Sequence, residues 1–164
     1  MIIRHDVPDQ QSLINEREYP GIITFFQGDG AGTLITPFWI LTAAHTARNI
    51  PNFHTIAIAD SSYTIDKVVP HPGFVGNEPG DVDDIALVKL ASPVNEVATF
   101  DLYEGESELG QEVLLFGRGD YGNGEVGIIG TDKKLRKATN LVDEVNDYWI
   151  KFRFDAPPNC TVLE

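Results

Sequence analysis

The sequence predicts an all-β chain, built as a sandwich or a barrel. Two observations carry that expectation: short apolar or alternating runs recur along the chain, and Gly, Pro, Asn and Asp separate them. The candidate strands are Ile22–Gln27, Gly32–Thr36, Trp39–Thr42, His54–Ala59, Tyr63–Val69, Ile85–Leu90, Glu112–Phe116 and Tyr148–Phe154. A turn at Thr36-Pro37 separates the second from the third. The last alternates cleanly, with Tyr148, Ile150, Phe152 and Phe154 on one face and Trp149, Lys151, Arg153 and Asp155 on the other. One segment resists: Leu135, Ala138, Leu141, Val142 and Val145 follow helical spacing, although Thr139 and Asn140 are poor helix formers. Asp101–Gln111 is acidic, punctuated by Gly and poor in apolar residues, and reads as a linker between two halves.

The chain has 164 residues, of which 42% are hydrophobic and 23% charged, an ordinary globular composition long enough to bury a core. Its net charge of −13 argues against nucleic acid and against an anionic membrane surface, since both require a basic face. A single cysteine, Cys160, excludes an internal disulfide framework and a cysteine-based zinc site. The opening MIIRHDVPDQ lacks a long apolar stretch and a small-residue cleavage site, so any targeting segment is expected to be absent or already removed. Gly30 to Ala47 is long enough to raise a membrane span, but Thr33, Thr36, Thr42, Thr46, Pro37 and His45 make it too polar for hydrocarbon.

The most informative stretch runs from Gly32-Thr33-Leu34-Ile35 to Trp39-Ile40-Leu41-Thr42-Ala43-Ala44-His45. A histidine placed where an apolar strand ends, behind two small alanines, reaches a cleft while its backbone stays anchored. Taken alone, such a histidine is more often a core residue held by hydrogen bonds. Asp84, however, stands directly before the apolar run Ile85–Leu90, and a carboxylate there must face solvent or meet a buried donor. An imidazole N–H is such a donor, and accepting it fixes the tautomer in which the other ring nitrogen is a base.

At these residues the sequence resembles the trypsin/chymotrypsin-like serine proteases, whose W-V-L-T-A-A-H and D-I-A-L blocks read here as WILTAAH and DIAL. The resemblance implies a double β-barrel, with His45 as general base and Asp84 as its orienting carboxylate, and no metal or organic cofactor. It selects Asp84 over Asp83, because the family's aspartate directly precedes I-A-L. It makes His71-Pro72 a structural segment, likens Phe116–Gly119 to the G-x-G opening the second barrel, and makes Leu135–Ala138 a strand against the helical periodicity. The implied organisation is a first barrel over 1–100, a linker over 101–111 and the N-terminal part of a second barrel over 112–164. Ile2-Ile3 resembles the family's activation terminus, with Arg4-His5 replacing the usual glycines and Met1 blocking Ile2's nitrogen if retained. The two cysteines that flank the family's histidine would fall near Ala31 and Thr46.

The family order is His, Asp, then Ser, and no serine here fits that place: Ser12, Ser61, Ser62, Ser92 and Ser107 all lack the G-D-S-G-G context that forms an oxyanion hole. A double barrel also needs about 200–250 residues. The expectation is therefore a serine endopeptidase acting on peptide or protein substrates, inactive as these residues alone. Its nucleophile would lie on a second chain after nicking or in a C-terminal segment not included. The alternative is a non-catalytic relative that binds protein, or an inactive fragment. The family's setting implies an extracellular or periplasmic location.

Other signals carry less. Gly122–Gly127 matches G-x-G-x-x-G, but no helix opens after it to face a pyrophosphate, so a loop is expected. Arg118-Gly119-Asp120 spells an adhesion tripeptide by chance, and Asn159-Cys160-Thr161 is formally a glycosylation acceptor. Glu78, Asp81 and Asp83 lack the regular spacing of a calcium loop.

Overall fold

The computed structural model describes residues 1–76 and 82–154, which form two compact units. One unit comprises Glu16–Glu104; the other joins Met1–Asn15 to the segment from Gly105 onward. The first fifteen residues thus group with the C-terminal half, not with the first barrel. Glu78, Asp81, Cys160 and the Asn159 acceptor lie outside the described residues.

The N-terminal arm contains β1 (Ile2–Ile3) and a single turn of helix, α1 (Asp9–Ser12). The Glu16–Glu104 unit then continues with β2 (Ile22–Phe25), β3 (Gly30–Thr36), β4 (Trp39–Thr42), α2 (Ala44–Ala47), β5 (Thr55–Ile58), β6 (Ser61–Pro70) and β7 (Ala86–Leu90). These strands form one antiparallel sheet in the order β2-β3-β4-β7-β6-β5. Its end strands β2 and β5 approach each other, so the sheet curls into a nearly closed barrel. Breaks in register between Leu34 and Thr36 and between Ile65 and Lys67 supply the bends that closure needs.

Alternation explains which side chains fill the barrel. Ile23 and Phe25, Ile56 and Ile58, and Ala86, Val88 and Leu90 occupy every second position and are buried, while their neighbours face outward. Leu34, Ile40, Ile65 and Val94 complete the cluster. Outside it, Lys89 and Lys67 turn outward to Asp66 at 2.9 Å and to the Trp39 ring at 5.8 Å.

In the other unit, β8 (Glu112–Gly117), β9 (Asp120–Asn123), β10 (Gly127–Thr131), β11 (Arg136–Leu141), β12 (Glu144–Val145) and β13 (Ile150–Lys151) make three small sheets among the described residues. β1 runs parallel to β9, which pairs with β10; β8 pairs with β11, and β12 with β13.

Two sequence expectations change here. Gly122–Gly127 is a hairpin, not an open loop: Gly122 lies where a side chain would strike the Gly127 carbonyl, and Gly127 itself has φ of +71°. The seven-residue strand expected at Tyr148–Phe154 shrinks to Ile150–Lys151. At its N-terminal end Asn146 ends the strand, because its side chain accepts the backbone N–H groups of Tyr148 and Trp149 at 3.0 and 2.9 Å and bends those residues into a turn. The segment with helical periodicity, by contrast, is extended from Arg136 to Leu141, with Leu135 and Val142 buried at its two ends.

Candidate active site

The register of two strands brings the candidate residues together. Thr42 at the end of β4 pairs with Ala86 at the start of β7. Antiparallel strands leave a shared edge in company, so the residues after Thr42 and those before Ala86 emerge side by side. After β4 the chain makes the single turn α2, where Ala44 and Ala47 are fully buried. Only small side chains let a helical turn sit that close to the barrel, and His45 is held between them, about one-third exposed. Its carbonyl accepts Nδ2 of Asn49 at 3.2 Å.

On the opposing strand, Asp83 adopts a left-handed conformation (φ +62°), and the Ile85 N–H donates to its carbonyl at 2.7 Å. That kink sends two adjacent carboxylates to different partners. Asp83 faces His71, with Nδ1 at 3.5 Å, on the surface. His71 Nδ1 also meets the Gly73 N–H at 3.2 Å. Asp84 instead turns inward, its side chain 11% exposed, to His45.

The Asp84 contact is double. His45 Nδ1 lies 2.6 Å from Oδ2, and the His45 backbone N–H donates to Oδ1 at 2.9 Å. Burial by itself would push the Asp84 carboxyl up. The hydrogen bonds from the His45 backbone and ring, with that from the Ala44 backbone, outweigh burial and hold it below the ordinary carboxylate range. An ionised carboxylate can only accept, so Nδ1 carries the proton and the lone pair of the neutral ring sits on Nε2. One carboxylate grips both the ring and the backbone of the same residue, so the imidazole cannot swing away without breaking that clamp.

Nε2 faces Thr46 Oγ1 at 3.3 Å. The sequence assigned Thr46 no role beyond a position where a family cysteine would fall; a hydroxyl directly after the candidate base is the signal that could have marked it. The serines stand elsewhere: Ser12 is buried with its hydroxyl on the Asp9 carbonyl at 2.7 Å, Ser61 and Ser62 are exposed in β6, Ser92 is exposed, and Ser107 caps the Leu109 N–H at 3.2 Å. In the other unit, a largely apolar groove of about 700 Å³ runs between the N-terminal arm and the β8–β11 pair, lined by Ile3, Leu114, Leu115, Ala138, Phe152 and Phe154 among others. It holds neither His45 nor Asp84.

A family model described as Trypsin matches residues 10–144. The chain belongs to the trypsin family. Over 72 residues this trypsin-family chain is 38% identical to human Kallikrein-11, a match covering 38% of this chain and 26% of that protein. Among solved structures it resembles neuropsin, a serine protease expressed in the limbic system of mouse brain, with a TM-score of 0.63 and 20% identity over 81% of this chain and 64% of that one. It also resembles Kallikrein-related peptidase 10 in its complex with Zn2+, with a TM-score of 0.59 and 24% identity over 80% of this chain and 61% of the other. At such identities the two structures speak for the fold. The chain spans less than two-thirds of either, and about a quarter of Kallikrein-11. The all-β, trypsin-like architecture expected from the sequence is the one observed.

Proposed function

We propose that this chain supplies the general base and the orienting carboxylate of a trypsin-like serine endopeptidase, with the nucleophilic serine outside these 164 residues, on a second chain or on further sequence. The observation that carries the reading is the 2.6 Å contact between His45 Nδ1 and a carboxylate held ionised by its surroundings. In this mechanism the serine hydroxyl attacks a peptide carbonyl and passes its proton to His45 Nε2. Asp84 stabilises the imidazolium, and His45 then returns the proton to the leaving amine. The reaction needs no metal or organic cofactor. The substrate class is peptide or protein, and the setting extracellular or periplasmic.

The test is covalent labelling. The protein from its native source, with everything that copurifies, is treated with a fluorophosphonate probe and resolved by denaturing intact-mass spectrometry. The reading expects probe mass on a second species of several kilodaltons or on a longer form of this chain. In recombinant full-length protein, His45→Ala abolishes the label. Native protein in which no species takes the probe overturns the enzyme reading and leaves a non-catalytic relative that binds protein.

A further inference from the structure

Both nitrogens of His45 have a partner, and the second partner is built in. Thr46 Oγ1 lies 3.3 Å from Nε2, the atom opposite the Asp84 contact. What aims that hydroxyl comes from another element: at Gly30, the first residue of β3, a Cβ would lie only 2.6 Å from Thr46 Cγ2. The methyl of Thr46 thus fills the space left by a missing side chain. With the methyl seated there, the hydroxyl of this β-branched residue is directed to the imidazole, because χ1 places both groups at once.

We infer that Thr46 is a positioning residue, whose hydroxyl holds Nε2 of His45 in both protonation states of the ring and must be displaced or shared when His45 takes a proton from a nucleophile. The inference rests on the proposed role of His45 as a base. A hydroxyl suits the task as neither an amide N–H nor a carboxylate would. It donates to the lone pair of the neutral ring and, by rotating, accepts from the N–H of the imidazolium. Asp84 and Thr46 then fix the ring plane from opposite edges, so the base is oriented before any nucleophile arrives. The same contact makes Thr46 a competitor for Nε2, and loss of its hydroxyl exposes the nitrogen.

Acylation of histidine by diethyl pyrocarbonate reads that exposure directly, because the lone pair of an unprotonated ring nitrogen attacks the reagent's carbonyl, taking up its ethoxycarbonyl group and releasing ethanol and carbon dioxide. The experiment uses the full chain at one fixed pH, with peptide mass mapping to separate His45 from His5, His54 and His71. Thr46→Val keeps the shape and removes the hydroxyl; His45 is expected to react about two- to tenfold faster, the range of one hydrogen bond. Gly30→Ala keeps the hydroxyl but pushes the Thr46 methyl from its seat, and the same acceleration is expected. The double variant Gly30→Ala with Thr46→Ser moves the methyl from one residue to the other and restores the wild-type rate. The 15N resonance of Nε2 tracks the same order, shifting in the two single variants and returning in the double.

A wild-type rate in Thr46→Val overturns the inference, as does a double variant that stays as fast as Gly30→Ala. Asp84→Asn, run alongside, reports on the other nitrogen: if the Nδ1 resonance and the tautomer are unchanged, the His45–Asp84 pairing fails whatever Thr46 does. Failure of the endopeptidase reading appears only in the fluorophosphonate experiment.

Discussion

At Asp84 a single, largely enclosed carboxylate, its side chain 11% exposed, is kept charged by donors from one residue and its neighbour, which gives the site a definite acid limit. Its folded pKa lies below the value it would have in the unfolded chain. The stability it contributes is therefore fully present above the unfolded value and lost as pH falls through the lower folded one. A 13C titration of the Asp84 carboxyl should show it ionised at a pH where exposed aspartates are half protonated. A midpoint at or above theirs would contradict the hydrogen-bond account. Asp84→Ala leaves the His45 backbone N–H and ring N–H without their acceptor and should cost about 1–3 kcal/mol in urea unfolding. This pair was legible in the sequence because each member abuts a recognisable strand, and the pairing of Thr42 with Ala86 converts sequence adjacency into spatial adjacency. For Thr46 the sequence offers only a hydroxyl next to the base; where that hydroxyl points depends on the missing side chain of Gly30, on β3.

Among the elements, the N-terminal arm is held by one buried cation. Arg136, 1% exposed at the start of β11, donates from Nε and Nη2 to Asp9 at 2.8 and 2.9 Å, and from Nη1 and Nη2 to Asp132 at 2.7 and 3.0 Å. Its guanidinium also sits 4.3 Å from the centre of the Tyr121 ring. Planar, forked donors suit this two-carboxylate clamp, and lysine would not reproduce it. The carboxyls of Asp9 and Asp132 are in turn held low, chiefly by the hydrogen bonds from Arg136. Next to the clamp, the Ile14 N–H donates to the Leu135 carbonyl at 3.1 Å, so that amide reports whether the arm is docked. Arg136→Met should lower the urea midpoint and speed hydrogen exchange at Ile14, with Asp9→Asn giving a smaller change in the same direction. Unaltered exchange at Ile14 in both variants would mean that β1 and its parallel partner β9 dock the arm by themselves. The clamp was not legible, because Asp9 and Arg136 stand 127 residues apart and the resemblance that makes Leu135–Ala138 a strand says nothing of a partner for Arg136. The strands of the first barrel were legible because each carries a buried face of its own. The alternation at Tyr148–Phe154 misled because it has no such face: Tyr148, Ile150, Phe152 and Phe154 are all exposed.

For the whole molecule, both units leave apolar side chains uncovered, and net charge governs whether that surface self-associates. Both units expose large apolar side chains among the described residues: Phe53, Val75 and Leu102 in the Glu16–Glu104 unit, and Ile128, Ile129 and Tyr148 in the other. Apolar surface of that kind favours association, which a charge of −13 opposes at neutral pH. The sequence isoelectric point is about 4.5, so the repulsion fades as acid is added. Asp84 is held below the ordinary carboxylate range, and its pairing with His45 therefore outlasts the loss of net charge. Light scattering across a pH series should show association growing as pH falls from 7 toward 4.5. It should also grow with salt at pH 7, where screening shortens the repulsion to within about 10 Å at 0.1 M. Polar replacements at Ile128 and Ile129, 63% and 59% exposed, should weaken both effects. Association that depends on neither pH nor salt would show that the −13 charge is not what keeps these faces apart.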